Sequence, residues 1–302
     1  MYNVSAMEPS IQYATTAARR RLPYLLRRRD LLEVVVIGVA FSLYFAVRSA
    51  VVGRPEIAYA NAVDIIDLQR RLGLFWEDDM NAWVSQRLFW AQAANLVYFW
   101  LLFPLMIVFA LWLYHWRRHK YTFIRDTFLA SGAIGLVIFW AYPVAPPREL
   151  PALAARFDPQ APGYVLGFVD TLKLHLRYAH DSGSTGLWVN PYAAMPCLHV
   201  GWNLLLGIGM IWSVWRERWI WIAVPIGVAL PVTQSLAVMA TANHYLLDIA
   251  AGVVVSLLAF PVALALQRWG YPALERALRR VPAWSSGPGR AKAHRARQKG
   301  VG

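Results

Sequence analysis

"MPCLHV", residues 195–200, closes a polar loop and opens an apolar run that continues to Trp215. Five further stretches are as apolar and about as long: 31–52, 94–116, 122–143, 218–239 and 244–266. The hydrocarbon core of a bilayer takes roughly 17–25 such residues per helix. The sequence therefore reads as an all-α polytopic membrane protein, a six-transmembrane-helix bundle. Arg125 and Asp126, near the start of the third run, are tolerable where that end lies at the interface. Composition agrees: 58% of residues are hydrophobic, and fifteen Trp and fourteen Tyr suit two water–lipid boundaries.

A formal net charge of +13 raises nucleic acid as a partner, but the basic residues cluster beside apolar runs. A membrane face explains that pattern better, and no nucleic acid is expected. Six spans put both termini on one side. The segments on that side (1–30, 117–121, 216–218 and 267–302) hold twenty Lys and Arg, against eight in 53–93, 144–197 and 240–243. The basic side is the cytoplasmic one. The expected organisation is a basic N-terminal segment 1–30, one catalytic membrane domain 31–266 with outer loops 53–93 and 144–197, and a basic tail 267–302, disordered at its end. The flank RRRLPYLLRRRD lacks a small-residue cleavage site, so no cleavable signal is expected. With one cysteine, Cys197, neither an intramolecular disulfide nor a cysteine-rich metal site can form.

This topology brings distant residues to one face. His199 begins the fourth run, His244 begins the sixth, and Arg148 follows the third; all three fall on the extracytoplasmic side. In TANHYLLD (241–248), His244 and Asp248 are four residues apart and share a helix face. The carboxylate would accept the imidazole Nδ1–H and leave Nε2 free to attack, with Thr241 or Asn243 capping the helix. A structural His–Asp pair is the plainer alternative. Pro196 suits a first helical turn, whose N–H groups and dipole favour phosphate. His199 in that turn would donate a proton to a departing oxygen, or serve only as an interfacial histidine. Arg148, behind Pro146 and Pro147, offers a guanidinium fork to phosphate oxygens, or anchors at the interface.

AMPCLHVGW, then NHYLLDIAAG some 45 residues later, with PPREL upstream, resembles the type 2 phosphatidic acid phosphatase superfamily. Within it the chain is most similar to the branch of inositol phosphorylceramide synthase and related inositol phosphotransferases. The likeness covers about 90–266 and, more loosely, LQRRLGLFWEDDMN (68–81). It implies that His244 forms a phosphohistidine, Asp248 orients it, His199 protonates the leaving group and then activates an alcohol or water, and Arg148 binds phosphoryl oxygens. It implies no metal and no cofactor. The chain departs from the superfamily pattern at several positions. Ala141 and Val238 stand where a lysine and an arginine are usual, and Cys197 and Leu198 fill the middle of the second histidine motif. Phosphate contacts there fall to backbone donors, with Lys173, His175 and Arg177 of the outer loop as further candidates.

The 144–197 loop is far longer than an ordinary connection and reads as a substrate-handling element. Residues 163–179 read as one short amphipathic helix, 180–186 as a hinge, and 61–76 as a second surface-lying helix. The functional expectation is an enzyme of the cell membrane, termini inside and site outside, that moves a lipid-linked phosphoryl group to a small alcohol or to water. A transporter remains open, favoured by Gly207 and Gly209 as helix interruptions, as does a lipid-binding relative without turnover.

Overall fold

A computed structural model describes residues 28–50, 54–175 and 192–280. The chain divides into two compact units, 1–43 and 44–302. In the first, the described residues belong to helix α1 (Arg28–Ala50), which runs on past Leu43. The hinge 180–186, most of the basic N-terminal segment and residues 281–302 lie outside the described residues.

The second unit is helical throughout, with no strand among the described residues. Its elements are α2 (Pro55–Arg71), α3 (Glu77–Ser85), α4 (Leu88–Trp100), α5 (Phe103–Trp116) and α6 (Arg118–Ala141). A 3-10 turn (Pro147–Glu149) and the short helices α7 (Leu150–Phe157), α8 (Gly163–Leu166) and α9 (Thr171–His175) follow. Then come α10 (Leu198–Ser213), α11 (Ile220–Ala240) and α12 (Leu246–Ala265), and a π-helical turn that leads into α13 (Tyr271–Arg280).

Among the described residues, four helical stretches are long and apolar enough to cross a membrane: Leu88–Trp116, Arg118–Ala141, Ile220–Ala240 and Leu246–Leu274. They match the second, third, fifth and sixth expected runs. The run opened by MPCLHV is shorter than expected, because α10 has 16 residues and stops at Ser213. Among the described residues of α1, Glu33–Leu43 forms a shorter apolar helix. The outer surfaces of the long helices carry exposed Trp100, Leu111, Trp221, Val232, Leu258 and Leu264. An apolar exterior of that extent belongs in lipid. The protein is a membrane protein.

Helix α10 is the hub, packed on α6, α11 and α12. Small residues allow the approach. A Cβ on Gly252 of α12 would lie 2.2 Å from the Cys197 carbonyl oxygen, and one on Gly207 of α10 would lie 2.1 Å from that of Gly227 on α11. Without a strong hydrophobic drive between helices in lipid, such close backbone packing is what holds them. Gly207 and Gly209 thus do not interrupt α10. They lie within one continuous helix, and Gly207 is a packing position.

Above the bundle, α2, α7 and α8 form a cap. Ala58, Ala62, Ile65 and Ile66 bury one face of α2 in a cluster with Leu150, Leu153, Val165, Phe168 and Tyr245. The helix expected at 61–76 therefore starts earlier, with Pro55 in its first turn. It stops at Gly73, whose φ of 68° permits the Leu74 N–H to reach the Gln69 carbonyl at 2.8 Å. Over the described residues 163–175, the single helix expected over 163–179 is two. Asp170 ends the intervening loop by accepting the N–H groups of Leu172 and Lys173, which starts a new helix. Asn81 of α3 pins that loop by donating to the Val169 carbonyl and accepting its N–H.

Candidate active site

Main-chain hydrogen bonds draw the three distant motifs together. After α6, Val144 pairs with the segment before α10: its N–H donates to Tyr192 and its carbonyl accepts from Ala194. Arg148 N–H donates to the Ala242 carbonyl at 2.9 Å, and Cys197 N–H to the Asp248 carbonyl at 2.8 Å. Helix α11 ends in a left-handed residue, Ala242, at φ 54°. The Asn243 N–H then returns to Val238 and the Ala242 N–H to Met239, the paired closure typical of a helix C-terminus. Thr241 and Asn243 thus finish α11 and do not cap α12. Thr241 Oγ1 donates to Ala237, and Asn243 Nδ2 to Thr241 Oγ1. His244 sits in the short link between the two helices, two residues ahead of the first turn of α12.

The imidazoles of His199 and His244 face one another with ring centroids 5.6 Å apart. His199 is the second residue of α10 and partly exposed; its ring packs at 4.8 Å against Tyr98 of α4. Pro196 precedes the N-cap Cys197 instead of occupying the first turn. His244 Nδ1 lies 2.8 Å from the Ala194 carbonyl oxygen. A carbonyl can only accept, so Nδ1 carries the proton and the lone pair is on Nε2. The expected partner, Asp248, is farther: its Oδ2 is 3.5 Å from Nδ1 and accepts the Tyr245 N–H at 2.9 Å. Asp248 sits on the third helical position of α12, where a carboxylate serves the free N–H groups first. Its Oδ1 is buried without a hydrogen-bond partner among the described residues.

Two side chains that the sequence reading passed over hold the start of α12. Glu77 is fully buried, and its Oε1 accepts the Leu246 N–H and the Gln69 amide, each at 2.6 Å. Gln69 Oε1 accepts the Leu247 N–H at 3.1 Å. Burial raises the Glu77 carboxyl above its usual range, against the lowering pull of these donors. The stretch LQRRLGLFWEDDMN held both residues, but nothing in their local pattern points to a helix 169 positions away.

The remaining candidates divide. Arg148 is largely buried beside Glu149, Nε to Oε1 3.6 Å, and its backbone is docked on Ala242, two residues before His244. Cys197 is fully buried, burial pushes its thiol pKa up, and its N–H is spent on Asp248. Leu198 turns its side chain into the cluster of Phe139, Ala193 and Val255. Lys173 is half-exposed and pairs with Asp170 on its own turn. The side chain of His175 and all of Arg177 lie outside the described residues.

A family model described as the PAP2 superfamily matches residues 63–262. The chain belongs to this superfamily. The match takes in Gln69, Glu77, Arg148, both histidines and Asp248, so the polar cap of α12 falls inside the PAP2 region. Neither a curated protein nor a solved structure matches the chain significantly. PAP2 membership, with the apolar helices, supports a membrane enzyme of phosphatase or phosphotransferase type acting on a lipid phosphate.

Proposed function

We propose that the protein transfers a lipid-linked phosphoryl group at the extracytoplasmic face through a phosphohistidine on His244. The observation that carries the reading is the facing pair of imidazoles with His244 Nδ1–H held by Ala194. That tautomer directs Nε2 to phosphorus, with a second imidazole within reach of an apical oxygen. His244 Nε2 forms the bond to phosphorus while the leaving oxygen takes a proton from His199. His199 then removes a proton from the acceptor hydroxyl, which attacks phosphorus and releases His244. Asp248, 3.5 Å from Nδ1, stabilises the positive ring that phosphorylation creates. Arg148 neutralises the phosphoryl oxygens. Reaction at histidine requires no metal.

The acceptor is a small alcohol, with inositol the candidate from the branch likeness, or water; both use the same intermediate. In this reading α1 and α10 also cross the bilayer, giving six spans with the basic termini in the cytoplasm. The outer helices α2, α7, α8 and α9 guide the lipid headgroup, and the basic tail meets anionic lipid. The test is to incubate the purified protein with labelled lipid phosphates and lipid pyrophosphates, with and without inositol, and trap acid-labile phosphohistidine. Labelled His244 in the wild type, absent from His244→Ala, is expected. Normal turnover by His244→Ala would remove the assignment.

A further inference from the structure

The two histidines have a third neighbour that phosphoryl transfer does not use. The Cys197 sulfur and ring nitrogens of His199 and His244 lie within 4.8 Å of one another. Around a tetrahedral zinc-class ion, sulfur and imidazole ligand atoms stand about 3.4–3.6 Å apart. Side-chain shifts of roughly an ångström close the difference. A set of one sulfur and two imidazoles suits borderline and soft ions and is poor for Mg²⁺ or Ca²⁺, which want oxygen.

Outer contacts fit the same role. A metal-bound histidine ordinarily donates its second ring N–H to a carbonyl or carboxylate. With Nε2 as the ligand atom, His244 would keep such a contact through Nδ1–H, to Ala194 at 2.8 Å, with Asp248 at 3.5 Å. Three protein ligands leave a fourth position for water, the open form of a zinc site. His199 is partly exposed and gives an ion its way in, whereas Cys197 is fully buried.

We propose that Cys197, His199 and His244 bind one zinc-class divalent ion, and that the bound ion excludes phosphoryl chemistry from the same two imidazoles. Binding forms one metal–sulfur and two metal–nitrogen bonds and releases the thiol proton to solvent, so affinity rises with pH. The exclusion rests on the phosphotransfer reading; the binding does not.

Full-length protein in detergent, titrated with Cd²⁺, tests the binding without any substrate. One equivalent per chain, with a thiolate-to-cadmium charge-transfer band in the ultraviolet, is expected. Cys197 is the only thiol, so the band has one source. Cys197→Ser should abolish it, and Cys197→Ser and His199→Gln should each weaken Cd²⁺ binding by more than about tenfold. No band in the wild type, or wild-type affinity in both variants, would overturn the site. In turnover assays Zn²⁺ should inhibit the wild type at concentrations more than about tenfold below those for Cys197→Ser. Saturating Zn²⁺ that leaves wild-type turnover unchanged would overturn the exclusion.

Discussion

The Glu77 carboxylate accepts the backbone N–H of Leu246 at 2.6 Å, two residues past His244. A helix start leaves several N–H groups without partners, and here a side chain from α3 supplies one across the cap. Glu77→Ala should therefore remove the acceptor of the Leu246 and Trp76 N–H groups and of one N–H of the Gln69 amide, whose other N–H reaches the Leu74 carbonyl. Each unsatisfied buried donor costs about 1–3 kcal/mol. The melting temperature in detergent should fall, and Glu77→Gln, which keeps one acceptor oxygen, should fall less.

The same residue gives a pH dependence. Its folded carboxyl titrates above the usual 4.5 because of burial. Between those two values the folded state holds a proton that the unfolded state has lost, so stability declines as pH rises through that window. Glu77→Gln lacks the effect. The stability advantage of the wild type over this variant should narrow from acid toward neutral pH. Parallel melting curves would reveal a constant gap if Glu77 does not titrate there.

The carbonyl at Ala194 changes what Asp248 should be worth. With Nδ1–H already held, Asp248→Asn still accepts the Tyr245 N–H and leaves the tautomer intact. Its kcat should fall less than that of His199→Ala, for which a lost general acid implies about 10²–10⁴-fold. Single-turnover rates of phosphohistidine formation separate the two. An Asp248→Asn defect as deep as that of His244→Ala would mean that the carboxylate, not the carbonyl, sets the ring.

Two glycines make a matched pair of tests. Gly252→Ala drives a methyl toward the Cys197 carbonyl, and Gly207→Ala drives one toward Gly227, with closest atoms at 2.2 and 2.1 Å. Overpacking of this kind costs about 1–3 kcal/mol, so both should lower the melting temperature similarly. Gly252 lies four residues beyond Asp248 and borders the turn carrying His199, so Gly252→Ala should also depress kcat. Gly207→Ala should depress it much less.

Runs of apolar residues announced the four long helices, and the order of those runs along the chain put MPCLHV and NHYLLD on one face. Both signals are side-chain patterns. What escaped was carried by the main chain or by residues far apart. Thr241 and Asn243 look like N-caps by composition, yet the left-handed Ala242 makes them the end of α11. Asp248 looks like the orienting base because four residues separate it from His244, but that count assumes that both are helical, and His244 precedes the helix. Glu77 and Tyr98 meet the site only through tertiary packing. The length of α10 was overread because Val214 and Trp215 continue its hydrophobicity after its helix has stopped.

Because the group that fixes the His244 ring is a peptide oxygen, no single replacement can delete it. Alanine scanning would pass over Ala194, which is already alanine. The aim of the His244 ring would yield to changes that bend the strand-like contact between Val144 and Ala193, such as an insertion on either side of it. A designer wishing to re-aim this imidazole would have to move a loop, not exchange an amino acid.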